Sequence, residues 1–374
     1  MMVLLLFMGI YGISLIWLVW GWGRVSVRSV AGGTLPGIEI SVVVAFRDEE
    51  AAMGTLLRCL SGQRGVNYEV VLVDDGSRDG SVAIVEHFIH SRQPGQPAFR
   101  LLSNGGEGKK RALMTGIRAA SGNVIVTTDA DCTMGERWLK GLAATFVDAR
   151  AQLVAGAVRM RQEGRFFEDL QAIEFASLIG VSGATMASGR PTMCNGANLA
   201  FRKAAFLAVD GYAGNLGIAS GDDEFLMRKV FARYPQGLRY VANPAAVVIT
   251  QAASVLPIFF RQRVRWASKW RYNSSVLTRA VAVYVFLLQV AWLIAFYLAL
   301  AGGGVVWPVV LGLRAVLECF FLLPVCSVLG IRWRWPAFLA LQILYPVYVI
   351  AVALVSFFYK PRWKENGRQA VSRP

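Results

Sequence analysis

The chain has 374 residues, 55% of them hydrophobic and 17% charged, with 39 Lys and Arg against 24 Asp and Glu for a formal charge of +15. That length accommodates one large domain and a few membrane spans, and it excludes two full domains beside a helix bundle. A mean hydropathy of +0.46 excludes a purely soluble chain, and the basic excess lies beside apolar segments, at 261–271 and beyond residue 360, which points to lipid headgroups or diphosphates rather than nucleic acid.

Residues 1–22 are uncharged and apolar, long enough for one span. They lack the basic start and small-residue cleavage site of a secretory signal, so residues 1–23 read as a retained anchor. Arg24 and Arg28 follow directly, and the positive-inside rule predicts a cytoplasmic location for what comes next. Cys59, Cys132, Cys194, Cys319 and Cys326 show no metal-like spacing. Reduced thiols on a cytosol-facing domain are the simplest account of them.

Strand-like runs at 40–46, 69–75, 99–103 and 124–129 alternate with helical stretches after Glu49, Gly80, Lys109 and Glu136. Such alternation predicts an α/β domain built on a mostly parallel, doubly wound sheet. Ligands of such sheets bind beyond the carboxyl ends of the strands. Three of the runs end in charged clusters there: Arg47-Asp48-Glu49-Glu50, Asp74-Asp75 and Asp129-Ala130-Asp131.

In a strand-like Asp-Ala-Asp both carboxylates leave one side of the chain, where Asp129 and Asp131 would meet one Mg2+ or Mn2+ ion. The alternative for these acids is turn capping or solvation. Asp75 would accept hydrogen bonds from a base or ribose, or else cap an Asp-rich turn. The segment Glu107-Gly108-Lys109-Lys110-Arg111 fits neither the mononucleotide nor the dinucleotide glycine spacing. Lys109 and Lys110 are then either solvated charges at a helix start or phosphate contacts.

Further along, Gly221-Asp222-Asp223-Glu224 places three acids at a helix start, and Gln262-Arg263-Val264-Arg265-Trp266 lies in a stretch with helical periodicity. Phe259, Trp266 and Trp270 share one face of that helix, while Arg261, Arg265 and Lys269 share another, the pattern of an amphipathic interfacial helix. Apolar stretches follow at 281–301, 305–329 and 336–359. Three full spans there would place the basic tail (Lys360, Arg362, Lys364, Arg368) outside, against the charge rule, so one stretch is expected to be re-entrant. Arg314 and Glu318, four apart in the middle stretch, read as an ion pair between helices or as an acceptor contact.

Taken in order, VVVAFRDEE, VLVDDGSRDGS, GEGKKRAL, TTDADC, NGANLAFR, GDDEFL and QRVRW resemble a membrane-bound family 2 glycosyltransferase with a GT-A fold, from about residue 41 to 266. The last motif resembles that of cellulose, hyaluronan and ceramide-glucosyl synthases. The resemblance implies inverting, metal-dependent hexosyl transfer from a nucleotide-diphosphate sugar to a lipid or membrane-associated glycan at the cytoplasmic face of the cell membrane, in glycolipid or polysaccharide biosynthesis.

Carried over by position, the resemblance puts Ala45, Arg47, Glu49 and Asp75 in the nucleotide pocket, Lys109 near base or phosphate, and Asp129 and Asp131 at the metal. Ala45 stands where the family commonly has Pro. Asp223 would be the general base, with Asp222 in place of the family's Glu. Asn198 would line the acceptor side or else bond turn backbone, as Asn beside Gly commonly does. Gln262 belongs to the last motif, where Arg265 would contact the diphosphate and Trp266 would stack on the acceptor, with interfacial anchoring as the alternative. The implied organisation is a transmembrane anchor at 1–23, a GT-A domain at 38–250, an interfacial helix at 254–275, a multi-pass transmembrane region at 279–359 and a basic tail at 360–374. A processive polysaccharide synthase and a noncatalytic nucleotide-binding scaffold are the alternatives, and the spans show no inverted repeat of the transporter kind.

Overall fold

The computed structural model describes residues 2–25, 27, 37–93, 95–105, 108–218, 221–268 and 276–358. The expectations placed on Arg28, Glu107, Lys269, Trp270, Arg271 and the tail from residue 360 lie outside the described residues. In chain order the elements begin with α1 (Met2–Trp22), β1 (Ile40–Phe46), α2 (Glu50–Ser61), β2 (Tyr68–Asp74), α3 (Ser81–His90), β3 (Ala98–Ser103), α4 (Lys109–Ala119) and β4 (Val124–Thr127). The middle of the chain forms β5 (Thr133–Met134), α5 (Trp138–Ala143), β6 (Leu153–Gly156), β7 (Val158–Met160), α6 (Phe166–Ala187) and β8 (Leu199–Arg202). It continues through α7 (Lys203–Ala208), α8 (Asp222–Arg233), β9 (Leu238–Val241) and β10 (Val248–Thr250) to α9 (Leu256–Ser268), α10 (Val276–Leu300), α11 (Val306–Leu329) and α12 (Trp335–Phe358).

The chain divides into two compact units. One, here called the α/β unit, takes in Val25–Arg159 and Met186–Gln251. Its main sheet has the order β3-β2-β1-β4-β8-β6-β9. β1 pairs in parallel with β2 and β4, β2 with β3, and β6 with β9, while β8 runs antiparallel to both β4 and β6. The mostly parallel sheet expected from the sequence is therefore present, with β8 as its one reversed strand. All seven residues of β1 are buried, as a strand covered on both faces must be, and this is why the run reads as continuous β-branched residues rather than as an alternation. A small sheet, β5-β10-β7, completes the unit.

The other unit gathers Met1–Arg24, Met160–Thr185 and Ala252–Pro361. The continuous domain expected at 38–250 is thus interrupted, because α6 packs with the terminal helices. Among the described residues five helices are long and apolar enough to cross a membrane: α1, α6, α10, α11 and α12. α6 differs from the rest. Its apolar window is 72% buried, against 17% to 28% for the others, and it connects β6 to β8, which pair in the same sheet. α10, α11 and α12, among which a re-entrant stretch was expected, each run without a break for at least 24 residues.

The polar pair in the middle stretch is an internal staple of this unit. Arg314 donates from Nε to Glu318 Oε1 at 2.8 Å, Tyr11 on α1 donates to the same oxygen at 2.7 Å, and Gln342 on α12 donates to Oε2 at 2.8 Å. The guanidinium lies 4.6 Å from the ring centroid of Trp292 on α10. Three helices therefore meet on one satisfied carboxylate, as a buried charge requires, and the fourth meets its cation. Removing it in Glu318→Ala leaves Arg314 uncompensated and is expected to cost about 3–5 kcal/mol, read as a lower unfolding midpoint of the detergent-solubilised protein. An unchanged midpoint would remove the staple from this account.

Candidate functional site

The loops beyond β1 and β2 are laced together by main-chain donors. Asp75 N–H donates to Phe46 O at 2.9 Å, Asp48 N–H to Ser77 Oγ at 3.1 Å, and Arg78 N–H to Asp48 Oδ1 at 2.8 Å. Asp74 accepts from the N–H groups of Gly76 and Ser77, closing the turn. Asp75, expected to meet a base or ribose, is fully buried. It accepts from Asn104 Nδ2 at 2.7 Å and from Gly108 N–H at 2.9 Å. Burial pushes its carboxyl above the usual value although these bonds pull it down. Asp75 therefore ties the β2 end to the start of α4, where Gly108 has φ of +104°, a backbone state a side chain rarely adopts. Ala45 is buried within β1, Arg47 is largely buried with Nε 3.7 Å from Asp48, and Glu49 lies half-buried ahead of α2.

Acidic residues from separate elements converge around Lys109. Its ammonium donates to Asp129 Oδ1 at 2.6 Å and lies 3.6 Å from Asp222 Oδ2. Burial alone would depress it, but Asp129, Asp222 and Asp223 together hold it above its ordinary value. Asp131 is half-buried beside them, and burial followed by the charge of Asp129 raises its carboxyl. The two carboxylates are not carried by strand alternation. β4 ends at Thr127, and the Asp-Ala-Asp segment forms a turn closed by Cys132 N–H on Asp129 O at 3.2 Å.

On the opposite segment Asp223 Oδ2 accepts from Gly196 N–H at 3.0 Å and Oδ1 from Glu224 N–H at 2.7 Å. Glu224 is engaged by Arg228 one turn along α8 at 2.7 Å. Among the described residues no group of three His, Cys, Asp or Glu side chains encloses a metal position. The donor set fits a hard divalent cation all the same: Asp129 and Asp131 offer carboxylate oxygens, a diphosphate completes such a shell, and the Lys109 ammonium already supplies positive charge at this place.

Asn198, expected on the acceptor side, has no exposed surface. Its Nδ2 donates to Ala157 O and Ala246 O, each at 2.8 Å, and its Oδ1 accepts from Trp138 Nε1 at 2.9 Å. Its amide bonds the scaffold and pins the turn that carries Gly196, the backbone-bonding alternative for an Asn beside Gly.

The last motif belongs to the helical unit, on α9. Gln262 and Arg265 are half-buried, and Trp266, also half-buried, lies with its ring centroid 5.9 Å from that of Phe175 on α6. Arg261 is exposed while Phe259 is buried, the two sides expected of the helix. Arg263 departs from that pattern, since it is a cation on the buried face.

Residues 41–209 match the family model described as Glycosyl transferase family 2. That stretch, less than half of the chain, is similar to family 2 glycosyltransferases. Among similar proteins, an undecaprenyl-phosphate 4-deoxy-4-formamido-L-arabinose transferase of Aeromonas hydrophila subsp. hydrophila is 36% identical over 95 residues, 25% of this chain and 28% of that protein. An N-acetylglucosaminyltransferase of Rhizobium meliloti is 26% identical over 254 residues, 65% of this chain and 58% of its own length. The chain thus spans less than two thirds of these relatives. Among solved structures, a mannosyltransferase from Pyrobaculum calidifontis in complex with GDP-Man and Mn2+ superposes with a TM-score of 0.60 at 18% identity, covering 96% of this chain and 99% of that one. The shared fold is GT-A, here joined to long apolar helices near both ends of the chain.

Two residues that build the glycosyltransferase domain's site carry no signal in the sequence: Asn104 orients Asp75, and Gly196 holds Asp223 through its main chain. Lys110, expected as a solvated charge or a phosphate contact, is instead buried and donates from Nζ to Asn215 O at 2.8 Å, tethering the segment that leads to α8. These partners lie 27 to 105 residues apart, so no local spacing signals them. Lys110 carries the one usable hint, a second basic residue at the helix start.

Two outcomes follow from this geometry. Because its raised carboxyl binds a proton more tightly when folded, Asp131 favours the native state below the unfolded-state value and loses that contribution as pH rises through the folded one. Asp131→Asn is therefore expected to melt above wild type at neutral pH without divalent ions, with the gap closing as pH falls to about 4. A gap that widens in acid would contradict the assignment. At Gly156 an added Cβ would overlap the Asn198 amide, so Gly156→Ala is expected to lose about 1–3 kcal/mol in denaturant unfolding; a neutral result would show that the Asn198 scaffold yields.

Proposed function

We propose that the protein is an inverting, metal-dependent glycosyltransferase that moves a sugar from a nucleotide-diphosphate donor to a lipid-linked acceptor. The observation that carries this reading is the convergence of Lys109 and Asp129, both inside the residues that match family 2 glycosyltransferases, with Asp222 from beyond them. The relatives named as undecaprenyl-phosphate transferases support a lipid phosphate as acceptor, and the neighbour solved with GDP-Man and Mn2+ supports a nucleotide-sugar donor and a divalent ion. Long apolar helices near both ends of the chain support a multi-pass protein of the cell membrane, with Arg24 in favour of a cytoplasmic catalytic domain.

Asp129 and Asp131 would hold Mg2+ or Mn2+, which when bound neutralises charge on the diphosphate. The N–H groups of Gly196 and Glu224 fix the Asp223 carboxylate and leave it lone pairs for an acceptor hydroxyl. As the acceptor oxygen, a sugar hydroxyl of a lipid-linked glycan or the P–OH of a lipid phosphate, bonds to the anomeric carbon, Asp223 takes the proton it carried, and the sugar–phosphate bond of the donor breaks with its electrons leaving on the diphosphate. Attack from the face opposite the leaving group inverts the anomeric centre. Lys109 lies where it can transfer its ion pairing from Asp129 to the diphosphate. The roles expected of Arg47 and Glu49 beside the nucleotide, and of Gln262, Arg265 and Trp266 toward acceptor or diphosphate, belong to this reading.

The test uses the full chain in nanodiscs with Mn2+, a panel of nucleotide sugars and a polyprenyl phosphate. Wild type should transfer one sugar, and Asp223→Asn should keep donor binding while losing about 10²–10⁴-fold in rate. Absence of turnover with any donor would refute the enzyme reading in favour of a nucleotide-binding scaffold, and products carrying many sugars would favour a processive synthase.

A further inference from the structure

We propose that Glu174 and Arg263 are positioning residues that set the acceptor end of the enzyme. The inference rests on the reading that Gln262 and Trp266 serve the acceptor. Glu174 lies on α6, the apolar helix grouped in one unit with the terminal ones, and is 3% exposed; Arg263 on α9 is 4% exposed. The guanidinium reaches Glu174 through two donors, Nε to Oε1 at 3.3 Å and Nη2 to Oε2. Tyr348 on α12 donates to Glu174 Oε1 at 2.6 Å. Three helices of one unit thus share a single carboxylate.

The remaining surface of Arg263 is spent on its own motif. Its Nη1 donates to Gln262 Oε1 at 2.8 Å, and its guanidinium carbon lies 4.3 Å from the centroid of the Trp266 ring and 4.5 Å from that of Phe259. The cation therefore grips two of the motif's side chains, one by a hydrogen bond and one by its ring face. It cannot turn without giving up Glu174.

Stability alone does not account for such a pair. Desolvating two charges costs several kcal/mol each, and well-packed apolar residues hold helices together as well or better. A planar cation locked by a bidentate carboxylate adds direction, because the guanidinium plane fixes the ring stacked on it and the amide bonded to it. A site that receives a sugar acceptor depends on such orientation.

The experiment compares wild type, Glu174→Leu/Arg263→Met and Trp266→Ala, each as the full chain in nanodiscs, by thermal unfolding, donor KM and acceptor KM. The double variant removes both charges together, so it is expected to fold with a Tm at or above wild type. Its donor KM and its kcat at saturating acceptor should stay within about twofold, while acceptor KM rises by about tenfold or more. Trp266→Ala should raise acceptor KM at least as far. A stable double variant with wild-type acceptor KM overturns the positioning role by itself. Trp266→Ala with unaltered acceptor KM overturns the acceptor reading of the motif and the inference with it. Should the double variant fail to fold, Glu174→Gln, which removes the charge paired with Arg263 and keeps an amide oxygen to which Tyr348 can donate, is measured in its place, and an unaltered acceptor KM in it overturns the positioning role.

Discussion

The salt bridge from Lys109 to Asp129, with Asp222 within reach of the same ammonium, is the interaction on which the α/β unit's site depends. Acids clustered out of water repel one another unless a cation lies among them. Lys109 supplies it, and the geometry around it follows. Asp75 fixes the loop that starts α4, so Lys109 projects from a defined helix start. The turn after β4 presents Asp129, and Gly196 together with the N-terminus of α8 presents Asp223. Three connections at the carboxyl side of a parallel sheet thereby become one polyanionic locus suited to a cation and a phosphate.

The helical unit obeys the same rule in apolar surroundings. Glu318 is shared by side chains from α1, α11 and α12, and Glu174 by side chains from α9 and α12. In each case a carboxylate serves as a junction for several largely apolar helices. Directional bonds of this kind specify which helices meet and at what rotation, where dispersion contacts alone tolerate sliding. All five cysteines remain unbridged, so these junctions and the packing around them carry the specification.

Much of the fold was legible because its signals are local. The run at 40–46 is β1 residue for residue, and the other early runs agree with their strands to within one or two residues. Apolar helices at both ends announced themselves by length. The departures share a cause in tertiary pairing. α6 reads as part of a soluble domain by position, yet it packs with the terminal helices. Asn198 reads as a polar residue beside a Gly, and only the neighbouring Trp138, Ala157 and Ala246 show that its amide is used up. Asp129 and Asp131 continue a strand-like run yet lie on a turn, two and four residues beyond the strand end, a boundary that periodicity does not resolve.

By itself the sequence determined the class of the protein: an α/β domain with acids at its strand ends, a family resemblance strong enough to name the chemistry, and apolar helices at either end. Those properties are written in residue types at short spacing, where hydrophobic period and turn chemistry act within a few residues. Tertiary structure alone decided which acid meets which base, that Asp75 and Asn198 face inward, and that Glu174 and Arg263 find each other 89 residues apart. The reason is physical: a buried charge is indifferent to sequence distance and is satisfied by whatever partner the completed fold brings within about 3 Å.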